Sequence, residues 1–347
     1  MRKALVTGAS GFVAEHLIPK LRRLGFFVYG LDRKKHPSAK CDEFFCVDLA
    51  NLKTEFFSNL EFDLVIHLAA ARADWGISDE EFFRDNVEAS EKLLAALDGT
   101  EPRTVVFVSS IAVMPQGSSK LLDESAPDDP INAYGLSKLE AEKKFINHYR
   151  IKNNVDLSII RPSVLYGPSD PNNTGIYRAV DNNIFRLIDG IYSNRFAIVG
   201  NGSTIKTTAY VKNFVESVLF AIEQTKGYEL YIYADQPPTT MIDLVKNIRA
   251  NLGKQGEGPR LPFQIIRPLA IIFDLVSMLT KINFPISQAR IDTFVRPTNF
   301  KSANFEKKRF EQPYSTQQAL IETAEWYLKL RRERKKGFFI FREQDDQ

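Results

Sequence analysis

The stretch Thr7-Gly8-Ala9-Ser10-Gly11-Phe12-Val13-Ala14 decides the fold of this chain. It joins a short apolar run at residues 3–7 to an amphipathic segment at residues 13–24, so its two glycines lie between a predicted strand and a predicted helix. A glycine turn in this place lets backbone N–H groups and the helix N-terminus approach a pyrophosphate. Ala14 stands at the helix-packing position where a third glycine is usual. The stretch predicts a dinucleotide site that includes Gly8, Ser10, Gly11, Phe12 and Val13.

Strands and helices alternate through the first half of the chain. The predicted strands cover residues 3–7, 27–32, 43–47, 64–67, 105–109 and 157–161, and the predicted helices cover residues 13–24, 82–97 and 133–149. This order is typical of an α/β fold with a Rossmann-type, doubly wound parallel sheet. We assign residues 1–168 to an NAD-binding domain with the catalytic residues, 169–330 mainly to a smaller C-terminal substrate lobe, and 331–347 to a basic and aromatic tail.

Composition excludes several classes of protein. The 347 residues are 44% hydrophobic and 26% charged, which argues against a disordered chain. The formal charge of +3, spread over both signs, argues against a nucleic-acid partner. Cys41 and Cys46 are too few for a disulfide framework and lack the second ligand pair of a zinc site. We therefore predict free thiols, no metal and a cytoplasmic location.

The residues after the second predicted strand bear on the choice of cofactor. Asp32 lies 24 residues after Gly8, where a carboxylate accepts both ribose hydroxyls and repels a 2′-phosphate, so NAD is favoured over NADP. Arg33 and the two lysines that follow keep the alternative open, because a basic residue here also neutralises a 2′-phosphate. A solvated basic turn is the other interpretation of these three residues.

The next two strand ends complete the predicted cofactor site. Asp48 and Leu49 follow the third strand, where a carboxylate can reach the adenine amino group. Leu68, Ala69 and Ala70 follow the fourth strand, and small residues there let the cofactor lie close to the backbone. His67, just before them, is interpreted as a packed histidine and not as a catalyst.

Three residues form the predicted catalytic set. Tyr134 and Lys138 are four residues apart on a predicted helix and therefore lie on one face. A tyrosine of ordinary pKa is a poor base at neutral pH, but a nearby ammonium and the positive nicotinamide favour the phenolate. Ser110 lies just beyond the fifth predicted strand, where its hydroxyl can hold the oxygen that loses or gains the proton.

With these residues the chain resembles the extended short-chain dehydrogenase/reductases of the NAD-dependent epimerase/dehydratase family. The resemblance covers about residues 3–330 and rests on TGASGF at 7–12, Asp32, DL at 48–49, HLAA at 67–70, Ser110, Tyr134, Lys138 and RPSVLYGP at 161–168. It implies that the Ser, Tyr and Lys move a proton from a sugar hydroxyl while hydride goes to NAD. It also implies contacts of Asn183 with the substrate phosphates.

Lys206 departs from the family pattern, because it stands in the place of a phosphate-binding arginine and cannot supply a bidentate fork. Arg290 or Arg296 is expected to add the missing charge, with a solvated helix residue as the alternative.

The residues after Ser110 limit the reaction. Related dehydratases and decarboxylases carry extra acids there, whereas this chain has Ile111-Ala112-Val113, so only alcohol–ketone chemistry is supported. Residues 210–213 and 297–300 resemble epimerases of polyprenyl-diphosphate-linked N-acetylhexosamines. We predict a 4-epimerase of a diphosphate-linked sugar, on a nucleotide or polyprenyl carrier, that acts through a transient 4-keto intermediate. The alternatives are a hydroxysteroid-type dehydrogenase/reductase and a non-enzymatic NAD-sensing protein, although relatives of the latter kind usually lack the Tyr or Lys.

Two segments raise the hypothesis of peripheral contact with the inner face of the membrane. Residues 263–273 are unusually apolar, and six basic residues between Lys329 and Lys336 precede the cluster Phe338-Phe339-Ile340-Phe341. Basic residues beside aromatic ones attract anionic headgroups. A buried helix and a dimer or packing contact are the alternative interpretations. We also expect a homodimer.

Overall fold

The computed structural model describes residues 1–34, 40–72, 77–100, 102–150, 154–169, 183–280, 291 and 295–335. Short β-branched and aromatic runs form its strands. In chain order they are β1 (Arg2–Thr7), β2 (Phe26–Asp32), β3 (Glu43–Cys46), β4 (Leu64–His67), β5 (Thr104–Val108), β6 (Asp156–Pro162), β7 (Val164–Tyr166), β8 (Ile198–Val199), β9 (Ile205–Lys206), β10 (Thr208–Tyr210), β11 (Tyr228–Tyr233), β12 (Thr239–Thr240) and β13 (Arg260–Leu261).

The helices alternate with these strands. They are α1 (Phe12–Arg23), α2 (Asp79–Phe83), α3 (Ala89–Leu97), α4 (Ala133–Arg150), α5 (Asn183–Tyr192), α6 (Val211–Gln224), α7 (Met241–Asn251), α8 (Phe263–Thr280), α9 (Ala303–Lys307) and α10 (Thr316–Lys335). A π-helical turn at Arg84–Glu88 joins α2 to α3. Short 3₁₀ turns occupy Leu49–Asn51, Thr54–Phe57 and Ile111–Val113.

Seven strands form one parallel sheet in the order β3-β2-β1-β4-β5-β6-β11. The predicted doubly wound fold is confirmed. The order reverses at β1, which pairs with β2 on one side and with β4 on the other. In such sheets a crevice opens beyond the carboxyl ends of the strands at the reversal point, and ligands bind there. The sheet therefore brings the ends of β1, β2 and β4 to one edge.

Each face of the sheet has its own apolar core. On one face α1 and α6 pack on β1, β4 and β6 through Leu17, Ile18, Phe214 and Val218, all at most 1% exposed. On the other face α3 and α4 cover the sheet through residues that include Leu93 and Phe145. Because both faces are covered, the central strands β4 and β5 are buried along their whole length and almost entirely apolar, as parallel strands usually are.

The C-terminal lobe has a separate core. Ile188 of α5, Leu244 of α7 and Tyr327 of α10 pack with Tyr166 and Tyr210, the last residues of β7 and β10. These two short strands pair with each other, so the lobe sits directly beyond the end of β6. The smaller predicted lobe thus forms around its own hydrophobic centre.

Several boundaries differ from the sequence prediction. The helix predicted from residue 82 begins at Asp79 and contains the π turn, and the strand predicted at 43–47 ends at Cys46. Strand β11, at Tyr228–Tyr233, was not predicted, and it adds a strand from the 169–330 segment to the edge of the main sheet. The cluster at residues 338–341 lies outside the described residues.

Candidate active site

The glycine turn has the predicted form. Gly8 has φ of +67°, and a Cβ atom at Gly8 would lie only 2.8 Å from the backbone nitrogen of Ala69. The Gly11 N–H donates to the Gly8 carbonyl at 2.8 Å, which closes the turn. Helix α1 begins at Phe12, and Gly11 caps it without a side chain. The first N–H groups of α1 are therefore left for an anion at the sheet edge.

A cleft along this edge joins most of the predicted cofactor residues. It is lined by Gly8, Gly11, Leu31, Asp32, Arg33, Val47, Asp48, Leu49, Leu68, Ala69, Ala70, Ala71, Asp85 and Ala89. Ser10, Phe12 and Val13 are not among these lining residues, although they belong to the turn beside them. N–H donors at a helix start, a carboxylate at a strand end and small residues between them fit the pyrophosphate and ribose of a dinucleotide.

Asp32 is held in place at the end of β2. Its Oδ2 accepts the Ser10 N–H at 3.1 Å, and the Ser10 hydroxyl donates to the Lys34 carbonyl at 2.7 Å. Ser10 thus couples the glycine turn to the ribose carboxylate, which explains its place in the site. Asp48 caps the following 3₁₀ turn by accepting the Ala50 N–H at 3.1 Å, and its contact with adenine stays a prediction.

Ser110 and Tyr134 meet because a helix start packs tightly on the turn after β5. Ser110 lies two residues beyond the end of β5, and its side chain hydrogen-bonds to that of Tyr134. A Cβ atom at Gly135 would lie 2.3 Å from the carbonyl oxygen of Ala112, so only glycine allows this approach. The Asn132 side chain accepts the Gly135 N–H at 2.8 Å and supports the beginning of α4.

Lys138 lies one helical turn beyond Tyr134 and is almost fully buried, with 2% exposed. Its Nζ donates to the Val108 carbonyl at 2.8 Å and lies 4.3 Å from the centre of the Phe107 ring. Burial lowers the pKa of Lys138 to about 7, and the charge of Glu142 partly opposes that shift. The ammonium is thus poised to change its charge near neutral pH.

His67 is confirmed as a packed residue. It is 1% exposed, and its Nδ1 lies 2.6 Å from the Thr7 hydroxyl and its Nε2 3.3 Å from the Ser90 hydroxyl. Burial lowers the pKa of His67 to about 3, with a further contribution from Lys138. His67 is therefore neutral at physiological pH and serves as a structural link beneath the site.

Asn86 is a site residue that the sequence analysis missed. Its Oδ1 accepts the Ala71 N–H at 2.7 Å, and its Nδ2 donates to the Ala71 carbonyl at 3.3 Å and to the Ser137 hydroxyl at 2.9 Å. The Ser137 hydroxyl in turn donates to the Tyr134 carbonyl at 2.9 Å. Asn86 therefore fixes the chain after β4 against the helical turn that carries Tyr134.

Arg72, another missed residue, follows directly on the segment that Asn86 fixes. Burial raises the pKa of Tyr134, whereas the charge of Arg72 and the hydrogen bond from Ser110 both lower it. A cation beside a phenol stabilises the phenolate, which is the form that accepts a proton. The balance leaves the pKa of Tyr134 above its usual value, so the lowering predicted from Lys138 is not observed, and Arg72 supplies the charge that opposes burial.

Replacing Arg72 with glutamine is expected to raise the pKa of Tyr134 and to move the acidic limb of the pH–rate profile upward by about 0.5 to 1 pH unit. The charge-retaining Arg72→Lys variant is the matched control and should restore most of the original profile. The measurement is kcat as a function of pH at saturating substrate. Equal profiles for the glutamine and lysine variants would contradict the electrostatic role.

The structure describes Asn183 and Lys206, two of the three predicted substrate residues. Asn183 is the first residue of α5. Lys206 lies in β9, is 8% exposed and donates from its Nζ to the Arg296 carbonyl. Burial lowers the pKa of Lys206 to about 8. Arg290 lies outside the described residues. Contacts of these residues with a substrate stay predictions.

The geometry defines a dinucleotide-dependent enzyme of alcohol–ketone chemistry, and comparison with known families gives its class. Residues 4–232 match the model of the NAD dependent epimerase/dehydratase family. The chain belongs to this family, and NAD is its cofactor.

Three similar proteins extend this assignment. The chain is 30% identical over 326 residues to an N-acetyl-alpha-D-glucosaminyl-diphospho-ditrans,octacis-undecaprenol 4-epimerase of Escherichia coli O157:H7, covering 93% of this chain and 94% of the relative. It is 28% identical over 277 residues to a 4-hydroxy-2-methyl-3-oxo-4-farnesyl-3,4-dihydroquinoline-1-oxide ketoreductase of Stigmatella aurantiaca, covering 77% and 78%. The solved UDP-glucose 4-epimerase of Thermotoga maritima has the same fold, with a TM-score of 0.73, 19% identity and coverage of 94% and 99%. The matches support the predicted epimerase class over the dehydrogenase alternative.

Proposed function

We propose that this protein interconverts the 4-epimers of an N-acetylhexosamine that is carried on a polyprenyl diphosphate. The observation that carries the proposal is the chemistry available at Ser110: its side chain hydrogen-bonds to that of Tyr134, Lys138 follows one helical turn later, and the turn after Ser110 is Ile111-Ala112-Val113, without an acid or base. Such a set can move one proton on and off a hydroxyl but offers no additional group there for the elimination of water. The similarity to the undecaprenol-linked 4-epimerase supports the choice of substrate.

Each residue of the set has a distinct task in this reaction. The Tyr134 phenolate takes the proton of the sugar 4-hydroxyl and later returns it, and the Ser110 hydroxyl donates a hydrogen bond to the same oxygen. The positive charges of Arg72 and of protonated Lys138 would oppose the burial that raises the pKa of Tyr134 and so favour its phenolate. NAD, held by the glycine turn and Asp32, would supply a reversible hydride acceptor beside C4, so the reaction would involve no net oxidation. Inversion at C4 requires that the keto sugar turn its other face to the nicotinamide before the hydride is returned. The sugar must therefore be held loosely, and we propose that the diphosphate provides most of the binding energy of the substrate.

We propose Asn183, Lys206 and Arg290 for the diphosphate. Lys206 lies on β9 beside the chain at Arg296, in the lobe that faces the end of the sheet. A lysine supplies a point charge and not the planar fork of an arginine, so a clamp that relies on it is less specific for one phosphate geometry. This favours a substrate held in part by its lipid.

The test offers the enzyme the same sugar on two carriers. Purified protein is incubated with UDP-N-acetylglucosamine and, separately, with polyprenyl-diphospho-N-acetylglucosamine, and the gluco and galacto products are resolved chromatographically. We expect both directions of conversion with the lipid-linked sugar, a higher kcat/KM than for the nucleotide sugar, and no accumulation of NADH. Net NADH formation from another alcohol, without conversion of either sugar, would favour the dehydrogenase alternative.

Peripheral membrane contact is part of this proposal. Within the described residues, no helix has the length and apolar character needed to cross a membrane. Among the side chains of helix α8 that the structure describes, however, those of Ile266 and Ala270 are buried, while Ile265, Ile271 and Ile272 are 57%, 49% and 55% exposed. The buried-helix alternative thus does not apply to these exposed positions. An exposed aliphatic face of this kind suits insertion into a lipid headgroup layer.

The contact is tested by sedimentation with anionic and neutral liposomes at low and high salt. We expect the double variant Ile265→Gln/Ile272→Gln to lower the partition coefficient by about tenfold, because two aliphatic side chains no longer enter the interface. The matched control is Leu24→Gln/Leu121→Gln, which removes two similarly exposed residues, at 47% and 55%, elsewhere on the surface. A chain that ends at Arg334 tests the tail. Equal liposome binding by all four proteins would contradict the proposal.

We also propose the predicted homodimer. The exposed apolar face of α8 could form its contact surface, and this use would compete with membrane contact by the same face. Sedimentation equilibrium of the parent protein and of the α8 double variant separates the two uses. A dimer that persists in the variant leaves α8 to the membrane, whereas dissociation to monomers assigns α8 to the dimer contact.

A further inference from the structure

The π-helical turn between α2 and α3 places one side chain, Asp85, at the cofactor cleft and the next, Asn86, against the helix that carries Tyr134. Such turns contain an extra residue and are frequent at functional sites. Asn86 fixes the chain next to the catalytic helix, as described above. Asp85, its neighbour, lines the cleft at the end of β2, and its side chain is 12% exposed. The π turn therefore contributes one residue to the cofactor cleft and one to the support of the helix that carries Tyr134.

Asp85 is the centre of an ion-pair chain at the rim of the cleft. Its Oδ2 lies 3.1 Å from Nη1 of Arg33, and its Oδ1 lies 3.0 Å from Nη1 of Arg84. The other nitrogen of Arg84, Nη2, lies 2.7 Å from Oδ2 of Asp48. This chain of charges connects Arg33, the residue after β2, with Asp48, which lies two residues beyond the end of β3.

These contacts decide what Arg33 can do. It follows Asp32 directly, which is the place from which a basic residue neutralises the 2′-phosphate of NADP. In this structure its guanidinium is directed to Asp85. To reach a 2′-phosphate, Arg33 would leave Asp85 and expose the phosphate to two carboxylates, those of Asp85 and Asp32. We propose that Asp85 is a specificity-determining residue, which holds Arg33 away from the 2′-phosphate position and so keeps the site selective for NAD.

The experiment measures bound cofactor and needs no substrate, so it stands apart from the proposed epimerase activity. Purified protein is incubated with equal concentrations of NAD and NADP until exchange is complete, and the bound nucleotides are extracted and quantified. The Asp85→Asn variant is expected to bind NADP at a ratio to NAD about tenfold above that of the parent, because the released guanidinium can form a charge-assisted bond to phosphate. The comparison is repeated in an Asp32→Ala background, in which the repulsion by Asp32 no longer masks the effect.

Three further variants make the result specific. Asp85→Asn/Arg33→Ala should lose the gain, and Arg33→Ala alone should leave the ratio near that of the parent, because Arg33 is already engaged. Glu88→Gln removes the same charge from an exposed position of the same turn and should change nothing. An unchanged ratio for Asp85→Asn in both backgrounds, a gain that survives loss of Arg33, or an equal gain from Glu88→Gln would each overturn the proposal.

Discussion

The Tyr134→Phe variant is expected to epimerise about 10²- to 10⁴-fold more slowly than the parent enzyme while retaining its NAD. The substitution removes only the hydroxyl that hydrogen-bonds to Ser110. The ring and its packing on Phe82, with ring centroids 5.7 Å apart, are kept. Because no other base is assigned to the substrate hydroxyl, the loss falls on proton transfer and therefore on kcat.

The measurements are kcat by product chromatography and the amount of NAD extracted per mole of protein. Tyr228→Phe is the matched control, since Tyr228 is 51% exposed at the start of β11 and away from Ser110. It should leave both quantities unchanged. Near-normal turnover by Tyr134→Phe would show that another group is the base, and loss of NAD would show that the phenol serves mainly to hold the cofactor.

The meeting of strand ends at one cleft was predictable because a parallel sheet has a polarity. Once strands and helices alternate, the ends of β1, β2 and β4 must meet at one edge, so Gly8, Asp32 and Ala69 could be brought together from sequence order alone. Tyr134 and Lys138 were predictable for a similar reason, because four-residue spacing places two side chains on one helix face.

The supporting residues were not predictable, because they depend on tertiary contacts. Asn86 and Asp85 look like ordinary polar residues of an amphipathic helix, and no periodicity marks the π turn that places Asp85 at the cleft and Asn86 against Ala71 and Ser137. The need for Gly135 arises only from its contact with the Ala112 carbonyl. Strand β11 is apolar enough to be predicted, but it joins the sheet after a long excursion through the lobe.

Lys206 illustrates the limit of spacing as a guide to charge. Its place after a glycine turn is that of a phosphate ligand in the resembled family, yet its side chain is largely buried beside the Arg296 carbonyl. The sequence position of Lys206 predicts where its backbone lies in the strand. The location of its ammonium depends on tertiary packing, which the sequence pattern does not show.

Replacing Lys138 with methionine is expected to lower kcat by about 10²-fold or more with NAD still bound, because the buried ammonium beside Tyr134 no longer favours the phenolate. Methionine has nearly the length of lysine and fills the space over Phe107 without a charge. Lys143→Met on the same helix is the matched control, because the Lys143 side chain is 53% exposed and pairs with Glu140 at the surface.

Lys138→Met is expected to lower kcat but to raise the stability of the folded protein at low pH, because it removes a buried charge. The pH dependence of this stability difference separates the catalytic role of Lys138 from its cost to folding. Burial lowers the folded-state pKa of Lys138 to about 7 from its usual 10.5, so between these values the unfolded chain binds a proton that the folded chain does not. Parent stability therefore gains up to about 1.4 kcal/mol per pH unit over this window from Lys138, a gain the methionine variant lacks. Below pH 7 Lys138 is protonated in both the folded and the unfolded parent, so the folded state bears the full desolvation penalty of the buried ammonium. We expect the melting temperature of Lys138→Met, relative to that of the parent, to be highest near pH 6 and to fall steadily toward pH 9. A difference that does not change with pH would show that Lys138 keeps an ordinary pKa, and its ammonium would then stay charged beside Tyr134 throughout this range.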